Sequence, residues 1–283
     1  MLGRISRGAY LPVTTLAVML LSTAALGGPE EDRLAFVNYF QSRFPDVTFD
    51  EFANGIYAID ADSRAQWLEI EEFPPYEFAI EQGEALWQQV FDNGRTYADC
   101  FEQSLPEIRA AHPRFDSTRN EVVTLDVAIN DCRGVNDTQH YAYDASEMVD
   151  LTAYLAYAAR GKEIDVRVPE DEPAAVAAYE DGKRFYYSKR GQLNFACADC
   201  HITSVGQRVR ADRLSPSLGH PTHFPVYRSK LGGMIGLQQR FAGCVRDVRA
   251  KPFELQSLEY RNLEYFLAYM SNGLAINGPG ARK

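Results

Sequence analysis

The sequence predicts a mainly α-helical protein made of two tandem copies of one helical unit, and three observations predict it. Residues 195–201 read FACADCH and residues 96–101 read TYADCF. The string at 195–201 holds Cys-x-x-Cys-His, while that at 96–101 keeps Ala-Asp-Cys but has Tyr97 and Phe101 where the other cysteine and the histidine would stand. Each string follows a glycine with large apolar residues three and four positions on, GEALWQQVF from Gly83 and GKRFYYSKR from Gly182. Each precedes a lone cysteine with arginine close behind, NDCR at Cys132 and GCVR at Cys244, and then a Leu- and Tyr-rich helical stretch, YLAYAARGKEI from Tyr154 and FLAYMSNGLAI from Phe266.

The offsets agree. They are 99 or 100 residues up to the cysteine motif and 112 at the lone cysteine and the last helix, so one insertion of about twelve residues between Cys200 and Cys244 accounts for all of them. Cys-x-x-Cys-His is the attachment signature of a c-type haem: two thiols add across the vinyl groups and the next residue ligates the iron. The order of parts in each half is helix, cysteine motif, irregular stretch, helix, which is the layout of a cytochrome c domain. The expected fold is therefore two tandem cytochrome c-like domains, the first lacking haem.

The elements follow in chain order. Residues 1–27 carry Arg4 and Arg7, the apolar run LPVTTLAVMLLSTAAL and small residues at Ala25-Leu26-Gly27, the marks of a cleaved secretory leader. The run is barely long enough to span a bilayer and none of that length follows, so an exported, periplasmic protein without a membrane anchor is expected. Residues 28–80 form a helical N-terminal extension ended by Pro74-Pro75, residues 81–167 the haem-less domain, and residues 174–283 the haem-binding domain. The acidic stretch VPEDEP, residues 168–173, with two prolines and no apolar period, reads as the linker.

At 283 residues the chain can bury two ordinary cores. Without Arg4 and Arg7 it holds 27 basic against 39 acidic residues, a net charge of −12, which disfavours a nucleic-acid partner. The charge is uneven: between His201 and Lys251 nine Lys or Arg stand against Asp212 and Asp247, so a basic face sits in an acidic protein.

Cys197, Cys200 and His201 are the strongest signal, with His201 as one iron ligand. Three candidates for the other ligand lie downstream: Met234, Cys244, and the pair His220 and His223. Of five cysteines, two bind haem, and the odd number left favours Cys244. Cys100 and Cys132 fall in one half, and a disulfide between them would replace the staple that a lost haem once supplied, worth about 3–4 kcal/mol in the entropic model. Cys244, in the haem half, would then be held by iron.

The leader, the tandem halves, the degenerate first motif, the intact second one and above all GLQQRFAGCVR, residues 236–246, resemble the SoxA family, the catalytic subunits of the SoxAX cytochromes of bacterial thiosulfate oxidation. The resemblance covers essentially the whole mature chain. Its most specific element is the Arg-x-x-x-Cys spacing of Arg240 and Cys244. It implies axial ligation of one haem c by His201 and Cys244, the latter commonly a persulfide in the family, and an active-site role for Arg240. It implies transfer of thiosulfate to a cysteine thiol of the carrier SoxYZ, with electrons passing to the small cytochrome SoxX. Tyr97 and Phe101 place the chain with single-haem members. A plain electron-transfer cytochrome and a stand-alone thiosulfate dehydrogenase making tetrathionate are the competing readings.

Overall fold

The computed structural model describes residues 27–210 and 212–282; the expected leader lies, save for Gly27, outside the described residues. Among them are ten α-helices: α1 (Pro29–Arg43), α2 (Ile56–Ile59), α3 (Ala61–Glu71), α4 (Glu77–Trp87), α5 (Leu105–Ala110), α6 (Leu125–Val135), α7 (Ser146–Ala158), α8 (Pro173–Tyr187), α9 (Leu237–Asp247) and α10 (Leu258–Met270). Seven short strands accompany them: β1 (Arg114–Asp116), β2 (Glu121–Val123), β3 (Arg208–Val209), β4 (Asp212–Arg213), β5 (Val226–Arg228), β6 (Gly233–Ile235) and β7 (Gly280–Arg282). The fold is mainly α. The only sheet of more than two strands among the described residues has the order β6-β5-β7, with β5 antiparallel to β6 and parallel to β7.

Local chemistry sets the helix starts. Prolines occupy the first position of α1 and α8, where no intrahelical partner for an N–H is needed. The side chains of Asp60, Thr124 and Ser257 each accept from the backbone N–H three residues on and so cap α3, α6 and α10.

The helices recur with the spacing of the sequence repeat. Leu125–Val135 and Leu237–Asp247 are offset by 112 residues at both ends, and so are Ser146–Ala158 and Leu258–Met270. Helix α4 packs on α7 as α8 packs on α10, and these are the two most extensive helix contacts. Both crossings close on glycine. A Cβ on Gly83 would stand 2.0 Å from the Asp150 carbonyl oxygen and 2.8 Å from Tyr154 Cβ; one on Gly182 would stand 2.0 Å from the Asn262 carbonyl oxygen and 2.9 Å from Phe266 Cβ. Only a residue without a side chain permits that approach.

The two pairs bury different material. Around α4 and α7 the core holds Trp87, Phe91, Tyr97, Ile129, Leu151 and Leu155. Tyr97 stacks on Trp87 at 5.7 Å, meets Phe91 edge-on at 4.9 Å, and accepts a hydrogen bond from Arg133 at 2.7 Å. Phe101 also lies against Trp87, at 5.8 Å. Cys100 and Cys132 are joined in a disulfide, Cα to Cα 5.7 Å. The core around α8 and α10 contains Tyr179, Tyr186, Phe241, Tyr260 and Phe266, and it includes Phe36, Phe40 and Phe52 of the N-terminal segment.

The stretch 168–173 is not a free tether. Val168 is buried, and the backbone just before it is bonded along 272–276: Ile164 N–H donates to the Leu274 carbonyl, and the Asn272 side chain bonds both ways with Val166. The acidic residues gave no hint of this because the apolar ones, Ile164, Val166 and Val168, alternate just upstream of them.

Gly182→Ala is expected to lower stability by about 1–3 kcal/mol, although alanine gains about 1 kcal/mol of helix propensity, because a backbone oxygen cannot rotate aside and the helices must separate. Thermal unfolding checks this against Gly233→Ala, whose Cβ meets nothing within 4 Å and which should leave the melting temperature nearly unchanged.

Candidate functional site: a cavity between a Cys-x-x-Cys-His turn and a cysteine-bearing helix

Asp199–Thr203 form a single π turn, and Cys197, Cys200 and His201 on and beside it face a cavity of about 480 Å³. Asp199 sets the turn by accepting the Ala196 N–H at 2.8 Å. In the other half Asp99 accepts the Thr96 N–H at 2.7 Å in the same way, so the shared Ala-Asp-Cys records a shared turn cap. His201 Nδ1 donates to the Ser215 carbonyl at 2.9 Å. That bond fixes the tautomer and leaves Nε2 with a lone pair for a metal, the usual arrangement of a ligating histidine. Burial holds the imidazole near pKa 4, hence neutral at pH 7.

Burial pushes the Cys197 thiol up to about 12 and also raises that of Cys200; a negative charge at Cys244 raises both further. Cys197, Cys200 and Cys244 are all free thiols. Helix α9 presents Leu237, Arg240, Phe241, Cys244 and Val245 to the same cavity, a spacing of three and four that defines one helix face. Arg240 and Cys244 are thus neighbours one turn apart. Arg240 has only a loose acidic partner, Asp247 at 3.9 Å. Two free thiols three apart, a histidine with Nε2 left to the cavity and a third sulfur from a separate helix suit a covalently attached haem with two axial ligands.

Of the other ligand candidates, His220 and His223 also line the cavity. The His220 ring meets the His201 ring edge-on at 4.4 Å between centroids, too close to admit a metal between them, and its Nε2 bonds with Ser215 Oγ at 3.0 Å. His223 is buried and lies flat against Phe224. Met234, on β6, is not among the described residues that line the cavity.

Five of the nine basic residues counted in the sequence reach the cavity wall: Arg210, Arg213, Arg228, Lys230 and Arg240. Arg190 and Arg282 join them from outside that window. Sequence reasoning missed Arg282 because it stands fifty residues away on β7; its partner in the parallel β5–β7 register is Arg228.

The N-terminal segment also builds the site. Tyr57 and Trp67, stacked at 4.9 Å, form part of its wall, and Asp60 meets Arg213 at 3.0 Å. Arg43, at the end of α1, donates to the carbonyls of Ile202, Thr203 and Val205, which lie immediately after the motif histidine. Nothing in the sequence flags Arg43, because its partners are backbone oxygens some 160 residues away.

A buried polar network fixes α9 from its other face. Gln238 donates to Glu264 at 2.8 Å and to Gln256 at 3.1 Å; Gln256 donates to Asp126 at 3.0 Å and accepts from Thr124 at 2.8 Å. Burial, and then the charge of Glu264, push the Asp126 carboxyl up to about 7. An unfolded aspartate titrates near 3.9. Between about pH 4 and pH 7 the unfolded chain therefore releases a proton that the folded chain keeps, and stability falls as pH rises. Asp126→Asn should melt above wild type at pH 8, with the difference closing by pH 4, as read from melting temperature against pH.

A helical fold wrapped round such a cavity defines the class: a cytochrome c-like protein. The model of the family "SoxA/TsdA, cytochrome c domain" matches residues 82–164. The L-cysteine S-thiosulfotransferase subunit SoxA of Allochromatium vinosum is 53% identical over 276 residues, covering 98% of this chain and 95% of the relative. The same subunit of Chlorobaculum tepidum is 48% identical, covering 90% of this chain and 88% of the relative. Among solved structures, a chain of the crystal structure of SoxXA from P. pantotrophus matches with a TM-score of 0.70 and 30% identity, over 80% of this chain and 86% of that chain. The chain belongs to the family of SoxA subunits of L-cysteine S-thiosulfotransferase.

Proposed function

We propose that this chain is the catalytic subunit of a periplasmic thiosulfate-oxidising complex, an L-cysteine S-thiosulfotransferase that conjugates thiosulfate to a cysteine thiol of the carrier SoxYZ. The observation that carries the reading is the placing of Arg240 and Cys244, one turn apart, on the cavity that also receives Cys197, Cys200 and His201. Cys197 and Cys200 would hold one haem c by thioethers, with His201 and Cys244 as axial ligands. Bound there, the haem supplies an exit for electrons, one at a time, toward SoxX as heterodimer partner.

In this reading the chain is two tandem cytochrome c-like domains, residues 81–167 without haem and residues 174–283 with it, after an extension over 28–80. The repeated glycine crossings and turn caps support that division. Tyr97, Phe101 and the Cys100–Cys132 disulfide fill the first core with side chains in place of a cofactor.

The reaction joins the outer sulfur of thiosulfate to the carrier's cysteine sulfur, forming one S–S bond. The carrier thiol loses its proton and two electrons leave, so the product is a cysteine S-thiosulfonate. Arg240 can give forked, charge-assisted hydrogen bonds to the sulfonate oxygens and so leave the outer sulfur turned toward Cys244. Cys244, as thiolate or persulfide, is the sulfur-transfer group. The basic wall attracts a dianion despite the acidic whole, an attraction that salt weakens. Among the described residues no helix is long and apolar enough to cross a membrane.

Purified with SoxX from a periplasm that matures haem, the protein should conjugate thiosulfate to reduced SoxYZ, read as a mass gain on the carrier. Cys244→Ala should abolish the gain while covalent haem remains on Cys197 and Cys200. Arg240→Ala should slow it at least about tenfold, the loss of one charge-assisted hydrogen bond. Rapid tetrathionate formation without SoxYZ, or a haem spectrum indifferent to Cys244→Ala, would overturn the reading.

A further inference from the structure

We infer that Arg228 is a second anion-binding arm of this cavity, gripping the sulfonate of thiosulfate together with Arg240; the inference rests on the function proposed above. Arg228 ends β5, where the parallel register with β7 sets it beside Arg282 and turns it to the cavity. It is only 9% exposed, and its Nη2 is buried with no hydrogen-bond partner. Its nearest carboxylate, Asp212, stands 3.6 Å from Nη2, beyond hydrogen bonding, and is shared with Lys230 at 3.5 Å. A buried guanidinium donor left empty is costly, and the cost is removed when an acceptor arrives.

The acceptor must be anionic. Arg228, Arg240 and Arg282 line one cavity, and both Asp212, 3.6 Å from Arg228, and Asp247, 3.9 Å from Arg240, stand beyond hydrogen bonding. Two guanidiniums match the two charges of thiosulfate, and their forks can engage the three sulfonate oxygens while the outer sulfur stays free. The carboxylates of a bound haem would offer the same oxyanion chemistry from a second source. The substrate is favoured because Arg228 lines the same cavity as Arg240 and Cys244.

The test uses the haem-loaded complex with SoxX, as Arg228→Gln and Arg228→Lys variants. Arg228→Gln should raise KM for thiosulfate, and its Kd measured by calorimetry without SoxYZ, at least about tenfold. The haem spectrum and midpoint potential without thiosulfate should stay those of wild type, and Arg228→Lys should recover part of the affinity. Unchanged KM and Kd overturn the inference. So does a shifted potential with unchanged KM, which would assign Arg228 to the haem carboxylates. Should the Gln variant fail to accumulate, the Lys variant decides, since it keeps the charge and loses the fork; affinity within about twofold of wild type then counts against the inference. If wild-type complex neither binds nor conjugates thiosulfate, it is the function itself that fails, and that is visible before any variant is made.

Discussion

The contact on which the rest depends is the crossing of α8 and α10, where Gly182 rests against the Asn262 carbonyl. Two helices that approach this closely fix each other's rotation and slide together, because the backbone of one fills the notch in the other. Tyr179, Tyr186 and Phe266 then pack round the crossing, and the chain between the two helices must travel out and back over one side. That excursion contains the motif turn, the strands β5 and β6 and α9. The cavity is the space it encloses, and every chemically active side chain reaches it from the excursion or from an element packed against it.

The same crossing at Gly83 and Asp150 carries a different interior, and the difference lies in its side chains. Tyr97 and Phe101 stand where the other half has Cys197 and His201, and they close with Trp87 and Phe91 into one aromatic cluster. The disulfide ties the turn to α6, the counterpart of α9. One helical frame thus carries two interiors, one filled by its own side chains and one left open. The second carries a basic wall in which the buried Arg228 Nη2 has no hydrogen-bond partner.

Much of this was legible in the sequence. The offset of 112 residues seen at Cys132 and Cys244 recurs at the ends of two helix pairs, and the two glycines picked out by their aromatic followers are the crossing points. The stretch that carries α9 reads as irregular in the sequence, so the shared face of Arg240 and Cys244 emerges only with the helix itself. What could not be read was any contact whose partner is backbone or distant chain. Arg43 binds carbonyls, which no sequence displays. The pairing of Arg228 with Arg282 depends on a parallel register, and parallel pairing across a long connection leaves no local pattern. The N-terminal segment looked like an appendage because it lies outside the repeat, yet Phe36, Phe40 and Phe52 are all buried in the common core.

The grip of Arg43 on residues 202–205 also orders events in the life of the chain. It joins segments some 160 residues apart, so it must wait for synthesis and closure of nearly everything between them. Until then the carbonyls of Ile202, Thr203 and Val205 lack the one donor that binds all three, so the last turn of α1 sets the backbone beside the motif histidine only once the two ends of this span have met.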